Sequence, residues 1–214
     1  CTLVSVENTQ NASGGRVFPW DGLQGVVALA RERGLRLHLD GARLFNAAIA
    51  SGIPAARWAE PFDTVSFCFS KGLGAPVGSI VCGSAATVDR VHRFRKMFGG
   101  GMRQVGILAA AALHALEHHV ERLAEDHANA RRLAAGLADL GFAVEDPTQT
   151  NIVMFAVADA DAFLRGARAA RVLINPVAGR RMRAVTHLDV ARADVDEALE
   201  RLRAVAPASR ARPG

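Results

Sequence analysis

The sequence has few or none of several residue types that mark particular classes of protein. It contains no tyrosine and only two lysines, Lys71 and Lys96, although 26 of its 214 residues are basic. It has three cysteines, an odd number, and no two of them have Cys-x-x-Cys spacing. Both observations favour reduced thiols in a cytoplasmic protein. Because Cys68 and Cys82 lie in apolar runs, we expect both to be buried.

Long apolar runs are also missing. None approaches the roughly 20 residues of a membrane helix, and no signal peptide opens the sequence, so we expect no membrane partner. The composition, 50% hydrophobic and 22% charged, is typical of a soluble globular protein. The net charge of +5 would suit an anionic ligand or nucleic acid. We expect no nucleic-acid partner, since the arginines are spread along the chain and few aromatic residues lie among them.

The pattern of apolar residues predicts an α/β protein with a small second domain. Strands over 2–6, 35–39, 63–70 and 79–82, helices over 20–33 and 44–51 and a turn over 58–61 imply a mixed, mostly parallel sheet covered by helices. Helices over 87–97, 103–118 and 120–140 follow. Strands over 142–145, 151–157, 172–175 and 182–188, with helices over 160–171 and 194–205, predict a small α+β domain. We place the domains at 1–120 and 121–214, and expect the tail from Pro207 to be frayed.

Lys71 ends the most apolar strand pattern and stands between a serine and a glycine turn. A lysine that is desolvated at a strand end can lose its proton and attack a carbonyl, which arginine cannot do. Lys71 is therefore a candidate nucleophile. The alternative is a surface lysine that caps a loop.

Further candidates lie in loops or within strands. Asp40 ends the second strand, and Arg43 follows it. The polar loop over 7–15 is either a ligand loop at a strand end or a plain connector. Three glycines precede Arg103, and the segment either approaches an anion or forms a hinge. Arg183 alternates with apolar residues, an expensive place for a guanidinium unless an anion meets it.

Two histidines could in principle bind a metal. His114 and His118 are four residues apart on a helix, but no third ligand and no H-E-x-x-H motif accompany them. We expect no metal site there.

An acid and a lysine at successive strand ends, with arginines for anions, match the requirements of pyridoxal phosphate (PLP). The lysine amine can hold the cofactor aldehyde as an imine, and an acid opposite the pyridine nitrogen keeps that nitrogen protonated.

At these residues the chain resembles the low-specificity threonine aldolases, which are fold type I PLP enzymes. Five stretches carry the resemblance: Glu7-Asn-Thr with Gly14-Gly15, His38-Leu-Asp-Gly-Ala-Arg43, Phe67-Cys-Phe-Ser-Lys-Gly-Leu-Gly-Ala-Pro-Val-Gly78, Gly99-Gly-Gly-Met-Arg-Gln104 and Arg183-Ala-Val-Thr-His-Leu-Asp189. The resemblance implies part of the fold type I large domain, followed by a small α+β C-terminal domain.

The resemblance also implies roles for individual residues. Lys71 would form the Schiff base with PLP, and Asp40 would pair with the pyridine nitrogen. Arg43 and Arg183 would hold the substrate carboxylate, and Arg103 would lie near the cofactor phosphate. The implied reaction cleaves β-hydroxy-α-amino acids to glycine and an aldehyde, in a homotetramer built as a dimer of dimers.

Two departures from the family pattern affect these expectations. Gln10 stands where the family usually has a histidine near the substrate hydroxyl, and an amide cannot act as a base near neutral pH. The chain also lacks an initiator methionine and the family's N-terminal segment of over a hundred residues. We therefore expect these 214 residues alone to bind PLP poorly. Open alternatives are another fold type I activity, such as β-elimination or racemisation, and an inactive truncated remnant.

Overall fold

A computed structural model describes residues 1–206. By their contacts, these residues divide into two units. The N-terminal unit contains Cys1–Gln10 and Val17–Leu123, and the C-terminal unit contains Asn11–Arg16 together with the chain from Ala124 onward. The loop Asn11–Arg16 thus belongs with the second unit although it precedes most of the first. The tail over 207–214, predicted to be frayed, lies outside the described residues.

A four-stranded sheet forms the centre of the N-terminal unit, with the strand order β1-β2-β3-β4. Its strands are β1 (Leu3–Glu7), β2 (Arg36–Asp40), β3 (Thr64–Cys68) and β4 (Ser79–Gly83). The first three strands are parallel, and β4 runs antiparallel to β3. The predicted mixed, mostly parallel sheet is therefore confirmed.

Helices connect and flank these strands. They are α1 (Trp20–Glu32), α2 (Leu44–Ser51), α3 (Ala55–Ala59), α4 (Ala85–Met97) and α5 (Gly106–His118). The end of α1 is set by Gly34, whose φ of 63° lets the next residue, Leu35, donate a hydrogen bond back to the Ala30 carbonyl. The short helix α3 overlaps the segment predicted as a turn, and its Trp58 is fully buried against the sheet.

The strand β4 is more exposed than the sequence indicates. Four of its five residues are exposed, and Cys82 is one of them, whereas Cys68 on β3 is half-buried. The prediction that both cysteines are buried is therefore wrong. The cause is position, because β4 is the outer strand of the sheet within the described chain.

The C-terminal unit is an antiparallel sheet covered by helices, with the strand order β5-β6-β8-β7. Its elements are α6 (Leu123–Asp139), β5 (Ala143–Val144), β6 (Ile152–Ala156), α7 (Ala160–Ala169), β7 (Asn175–Ala178), β8 (Arg181–Val185) and α8 (Arg192–Arg203). Phe142, Phe155 and Phe163 form the centre of its core, with pairwise ring centroids 5.5–5.6 Å apart in edge-to-face contacts.

One strand of this unit differs from the prediction. The segment over 172–174 is not a strand. Arg171 adopts a φ of 61°, and Val172 donates a hydrogen bond to the Ala167 carbonyl, which closes the end of α7. The strand β7 begins only at Asn175.

A buried histidine makes the stability of the C-terminal unit sensitive to pH. His127 on α6 is 2% exposed. Burial disfavours the charged ring, and the nearby Arg131 adds repulsion, so the pKa of His127 falls from 6.5 to about 4.

We expect the free energy of unfolding to decrease as the pH falls from 6.5 to 4. The folded pKa of His127 lies below the unfolded value, so its contribution is complete above pH 6.5 and is lost towards pH 4. The loss amounts to roughly 3 kcal/mol at most. Urea unfolding followed by circular dichroism should show this decrease in the natural protein and a smaller one in His127→Gln. The exposed His92 supplies the control, since His92→Gln should keep the natural profile; equal profiles in all three proteins would contradict the assignment.

Candidate active site

The candidate site lies where the parallel strands of the N-terminal unit end. The register pairs Glu7 on β1 with Asp40 on β2, and Asp40 with Ser66 on β3. The carboxyl ends of three parallel strands therefore meet at one edge of the sheet, where α/β proteins collect ligands. The Gly41 amide donates a hydrogen bond of 2.7 Å to the Ser66 carbonyl and continues this alignment beyond β2.

Asp40 retains hydrogen-bonding capacity at this edge. One of its carboxylate oxygens, Oδ1, accepts a hydrogen bond of 3.1 Å from the Ala42 amide. The other oxygen has no hydrogen-bond partner among residues 1–206. Because the side chain is only half-buried, this oxygen is available to accept a hydrogen bond from an N–H group of a ligand.

Lys71 lies in a tight turn just beyond β3. The turn is closed by a hydrogen bond of 2.9 Å from the Gly74 amide to the Lys71 carbonyl, and it is anchored by the buried side chains of Phe69 and Leu73. Lys71 itself is exposed, so the expected desolvation of its amine is not observed in this structure. The physical reason is that the apolar anchors flank the lysine, while the turn directs the lysine itself towards solvent.

Two residues for which the sequence predicts no role lie against this turn. His119, directly after α5, donates a hydrogen bond of 2.6 Å from Nδ1 to the Leu73 carbonyl. The buried Asn46 on α2 lies so close to Gly72 that a Cβ at Gly72 would be 3.3 Å from its Oδ1. Neither contact has a local sequence signal, because the partners are 46 and 26 residues apart in the chain.

The loop after β1 supplies two more polar residues, which belong to the Glu7-Asn-Thr stretch but for which the sequence predicts no individual role. Asn8 and Thr9 are each 1% exposed. The backbone amide of Asn8 donates a hydrogen bond to the Asp40 backbone carbonyl, and the side-chain Oδ1 of Asn8 accepts one from the Phe18 backbone amide. Within the described residues, the side-chain Nδ2 of Asn8 and the Oγ1 of Thr9 are buried without hydrogen-bond partners. Such atoms are costly unless a ligand or water binds them.

The other predicted residues of this unit lie in loops or at helix starts. Arg43 is half-buried and directly precedes α2. Gln10 is half-buried and ends the first segment of the unit. Arg103 is exposed, and the helix predicted to start there begins only at Gly106, since Gln104 adopts a φ of 49° that is incompatible with an α-helix. No hydrogen bond of Arg103 is found within residues 1–206.

Arg183 belongs to the C-terminal unit, at the middle of β8. Its neighbours Met182 and Ala184 are buried, and its own side chain is half-buried. Its Nη1 donates a hydrogen bond of 2.8 Å to Asn11 Oδ1, whereas its Nε is buried and has no partner in the described part of the chain. No anionic side chain among the described residues neutralises it.

Comparison with known proteins assigns the chain to a family. The family model for beta-eliminating lyases matches residues 1–160. The chain belongs to this family. The low specificity L-threonine aldolase of Escherichia coli O157:H7 is 44% identical over 204 residues, which are 94% of this chain and 60% of that protein.

Solved structures with this fold include a threonine aldolase from Leishmania major. It has a TM-score of 0.77, is 20% identical, and covers 96% of this chain and 61% of its own. A serine palmitoyltransferase variant from S. paucimobilis with a bound PLP–myriocin aldimine has a TM-score of 0.73 and is 19% identical, and the match covers 96% of this chain and 55% of that one. The fold of this beta-eliminating lyase family member is therefore that of fold type I PLP enzymes.

The chain spans about 58–60% of the length of the curated relatives it matches. Within residues 1–206, none of the helices has the length and hydrophobicity that a membrane span requires. The same residues contain no group of three or more His, Cys, Asp or Glu side chains that is placed to hold a metal ion.

The alignment of Asp40 with β3 depends on a residue without a side chain. A Cβ at Gly41 would lie 2.9 Å from the Ser66 carbonyl oxygen and 3.0 Å from the Leu44 Cβ, so Gly41→Ala should destabilise the unit by about 1–3 kcal/mol. Gly25 in α1 is the matched control. It has open space around it, so Gly25→Ala should stabilise the unit by about 0.5–1 kcal/mol.

Urea unfolding followed by tryptophan fluorescence measures both variants. Both tryptophans, Trp20 and Trp58, lie in the N-terminal unit and so report on it directly. Equal effects of the two substitutions would contradict the close packing at Gly41.

Proposed function

We propose that the protein cleaves L-threonine, L-allo-threonine and related β-hydroxy-α-amino acids to glycine and an aldehyde, with PLP as cofactor. The observation that carries this proposal is the placement of Asp40 at the end of β2 and of Lys71 just beyond the neighbouring parallel strand β3, in a chain 44% identical to a low specificity L-threonine aldolase.

The chemistry of the site residues fits PLP. Lys71 supplies a primary amine for the cofactor aldehyde, and its exposure leaves that amine accessible. Asp40 has one carboxylate oxygen without a partner among residues 1–206, and we propose that this oxygen pairs with the pyridine nitrogen. The buried, unpaired side-chain atoms of Asn8 and Thr9 follow β1 at the same edge and support a polar ligand there.

The substrate would be bound through its carboxylate and its hydroxyl. We assign the carboxylate to Arg43 and Arg183, because a guanidinium binds a carboxylate with two parallel hydrogen bonds. We assign the hydroxyl to Gln10, whose amide can hydrogen-bond a hydroxyl but cannot remove its proton. When bound, PLP supplies an electron sink for the carbanion left at Cα as the Cα–Cβ bond breaks. The arginines contribute by fixing the orientation of that bond.

We also propose a ligand for the cofactor phosphate, an oligomeric state and a cellular compartment. The exposed Arg103 is available to the cofactor phosphate. Exposed apolar side chains on and between α4 and α5, including Phe98 and Ile107, support assembly as a homo-oligomer, for which we propose a dimer of dimers. Three free cysteines support a cytoplasmic location.

A second candidate is β-elimination, which the family description itself favours. The same lysine and acid would serve this reaction, but its products differ. Incubation of the full natural-length protein with PLP and L-threonine should give glycine and acetaldehyde. Ammonia and a keto acid would instead support elimination and overturn the aldolase proposal.

The two lysines of the chain allow a direct test of the nucleophile. With PLP and borohydride, peptide mapping should find the label on Lys71 and not on Lys96. Lys71→Arg should lose the label and lower glycine release by more than about 10³-fold, because the guanidinium cannot form the Schiff base.

Lys96→Arg, on the exposed α4, is the control and should keep both the label and the rate. Label on Lys96, or full activity of Lys71→Arg, would exclude Lys71 as the cofactor lysine.

A further inference from the structure

Two arginines on β8 have the same orientation but different partners. Arg181 and Arg183 are two residues apart and so lie on one face of the strand. Arg181 donates to both carboxylate oxygens of Glu145, from Nε at 2.5 Å and from Nη2 at 2.7 Å. This pairing lowers the pKa of Glu145. Arg181 is therefore a neutralised, structural arginine.

The Arg183 side chain has a hydrogen-bond partner, but that partner does not neutralise its positive charge. Its one hydrogen bond within residues 1–206 is the 2.8 Å contact from Nη1 to Asn11 Oδ1. Asn11 is neutral, so the guanidinium keeps its full charge. Its Nε is buried and unpaired, and its Nη2 group has no partner in the described chain. The acceptor at Nη1 therefore fixes the orientation of the group and leaves the other donors available.

The loop Asn11–Arg16 is built to present Asn11 at this point. Gly14 and Gly15 both have positive φ, of 82° and 71°. A Cβ at Gly14 would be 2.8 Å from the Met154 Cγ, so only glycine lets the loop lie so close to β6. Met154 is the cross-strand partner of Arg183. The close approach thus brings Asn11 within reach of that arginine.

Further hydrogen bonds fix the loop. Thr150 Oγ1 donates to the Gly15 carbonyl at 2.6 Å, and Arg181 Nη1 donates to the Ala12 carbonyl at 2.8 Å. Asn11 is consequently a fixed acceptor rather than a mobile surface side chain.

We propose that Asn11 is a positioning residue, which orients the Arg183 guanidinium so that its remaining N–H groups bind the carboxylate of an amino-acid substrate. This inference rests on the proposed function, in which Arg183 binds that carboxylate. A neutral acceptor suits this role, since a carboxylate at position 11 would hold the arginine but would compete with the substrate for it.

The test compares two substitutions of Asn11 that distinguish a role in positioning Arg183 from a purely structural role. Asn11→Leu removes the acceptor, and Asn11→Asp keeps an acceptor but adds a charge. In the full natural-length protein with PLP, calorimetry should show the dissociation constant for glycine rising about tenfold in Asn11→Leu. It should rise at least as much in Asn11→Asp. Without added PLP, the melting temperature of Asn11→Asp should equal or exceed that of the natural protein, because a new ion pair forms.

A purely structural role gives the opposite result for aspartate. Asn11→Asp would then bind glycine as the natural protein does, and this would overturn the proposal. Glu145→Gln is the matched control, because Glu145 is the partner of Arg181, the other arginine on this face of β8. It should lower the melting temperature by weakening the Arg181 pair and leave the glycine dissociation constant unchanged.

Arg183→Lys separates this inference from the proposed function. If Arg183→Lys binds glycine normally, or if the natural protein does not bind glycine, the carboxylate assignment of Arg183 fails and the role of Asn11 fails with it. If Arg183→Lys weakens binding but both Asn11 variants do not, only the role of Asn11 is overturned. Products other than glycine and acetaldehyde from L-threonine would contradict the aldolase proposal alone, since carboxylate binding is measured separately.

Discussion

The parallel register of β1, β2 and β3 is the constraint on which the candidate site depends. Parallel strands end at the same edge of a sheet, so residues far apart in the chain are aligned there without any local signal. Glu7, Asp40 and Ser66 are aligned in this way, and the amide of Gly41 extends the alignment by binding the Ser66 carbonyl. Packing allows little adjustment at this point, because a single Cβ at Gly41 would meet backbone.

The positions of the strand ends could be predicted from the sequence, but the burial and contacts of the side chains there could not. Asp40 and Lys71 were found because apolar runs stop at them and glycines follow, a pattern that depends only on neighbouring residues. The exposure of Lys71 depends on which flanking residues anchor the turn, and those anchors pack against α5 and Leu123. The exposure of β4 similarly reflects its outer place in the sheet, which its apolar composition does not reveal.

The loop Asn11–Arg16 shows the same limit for longer-range contacts. Its turn residues predicted a loop correctly, but its membership in the C-terminal unit depends on contacts with residues some 130 to 170 positions away. The sequence marked Arg183 as an expensive guanidinium between apolar neighbours, which is a local observation. That the neutral Asn11 meets it, while Glu145 neutralises Arg181 instead, follows only from the packing of the loop against β6.

The buried, unpaired polar side-chain atoms of the described chain are confined to two segments, the loop after β1 and the strand β8. Only three buried side-chain nitrogen or oxygen atoms among residues 1–206 have no hydrogen-bond partner, and they belong to Asn8, Thr9 and Arg183. Each such atom costs about 1–3 kcal/mol when nothing binds it. In the rest of the described chain, buried side chains such as Thr186 are paired. Unmet hydrogen-bonding capacity therefore lies in the two segments that the proposed function assigns to ligand, which is where a bound cofactor or substrate would recover its cost.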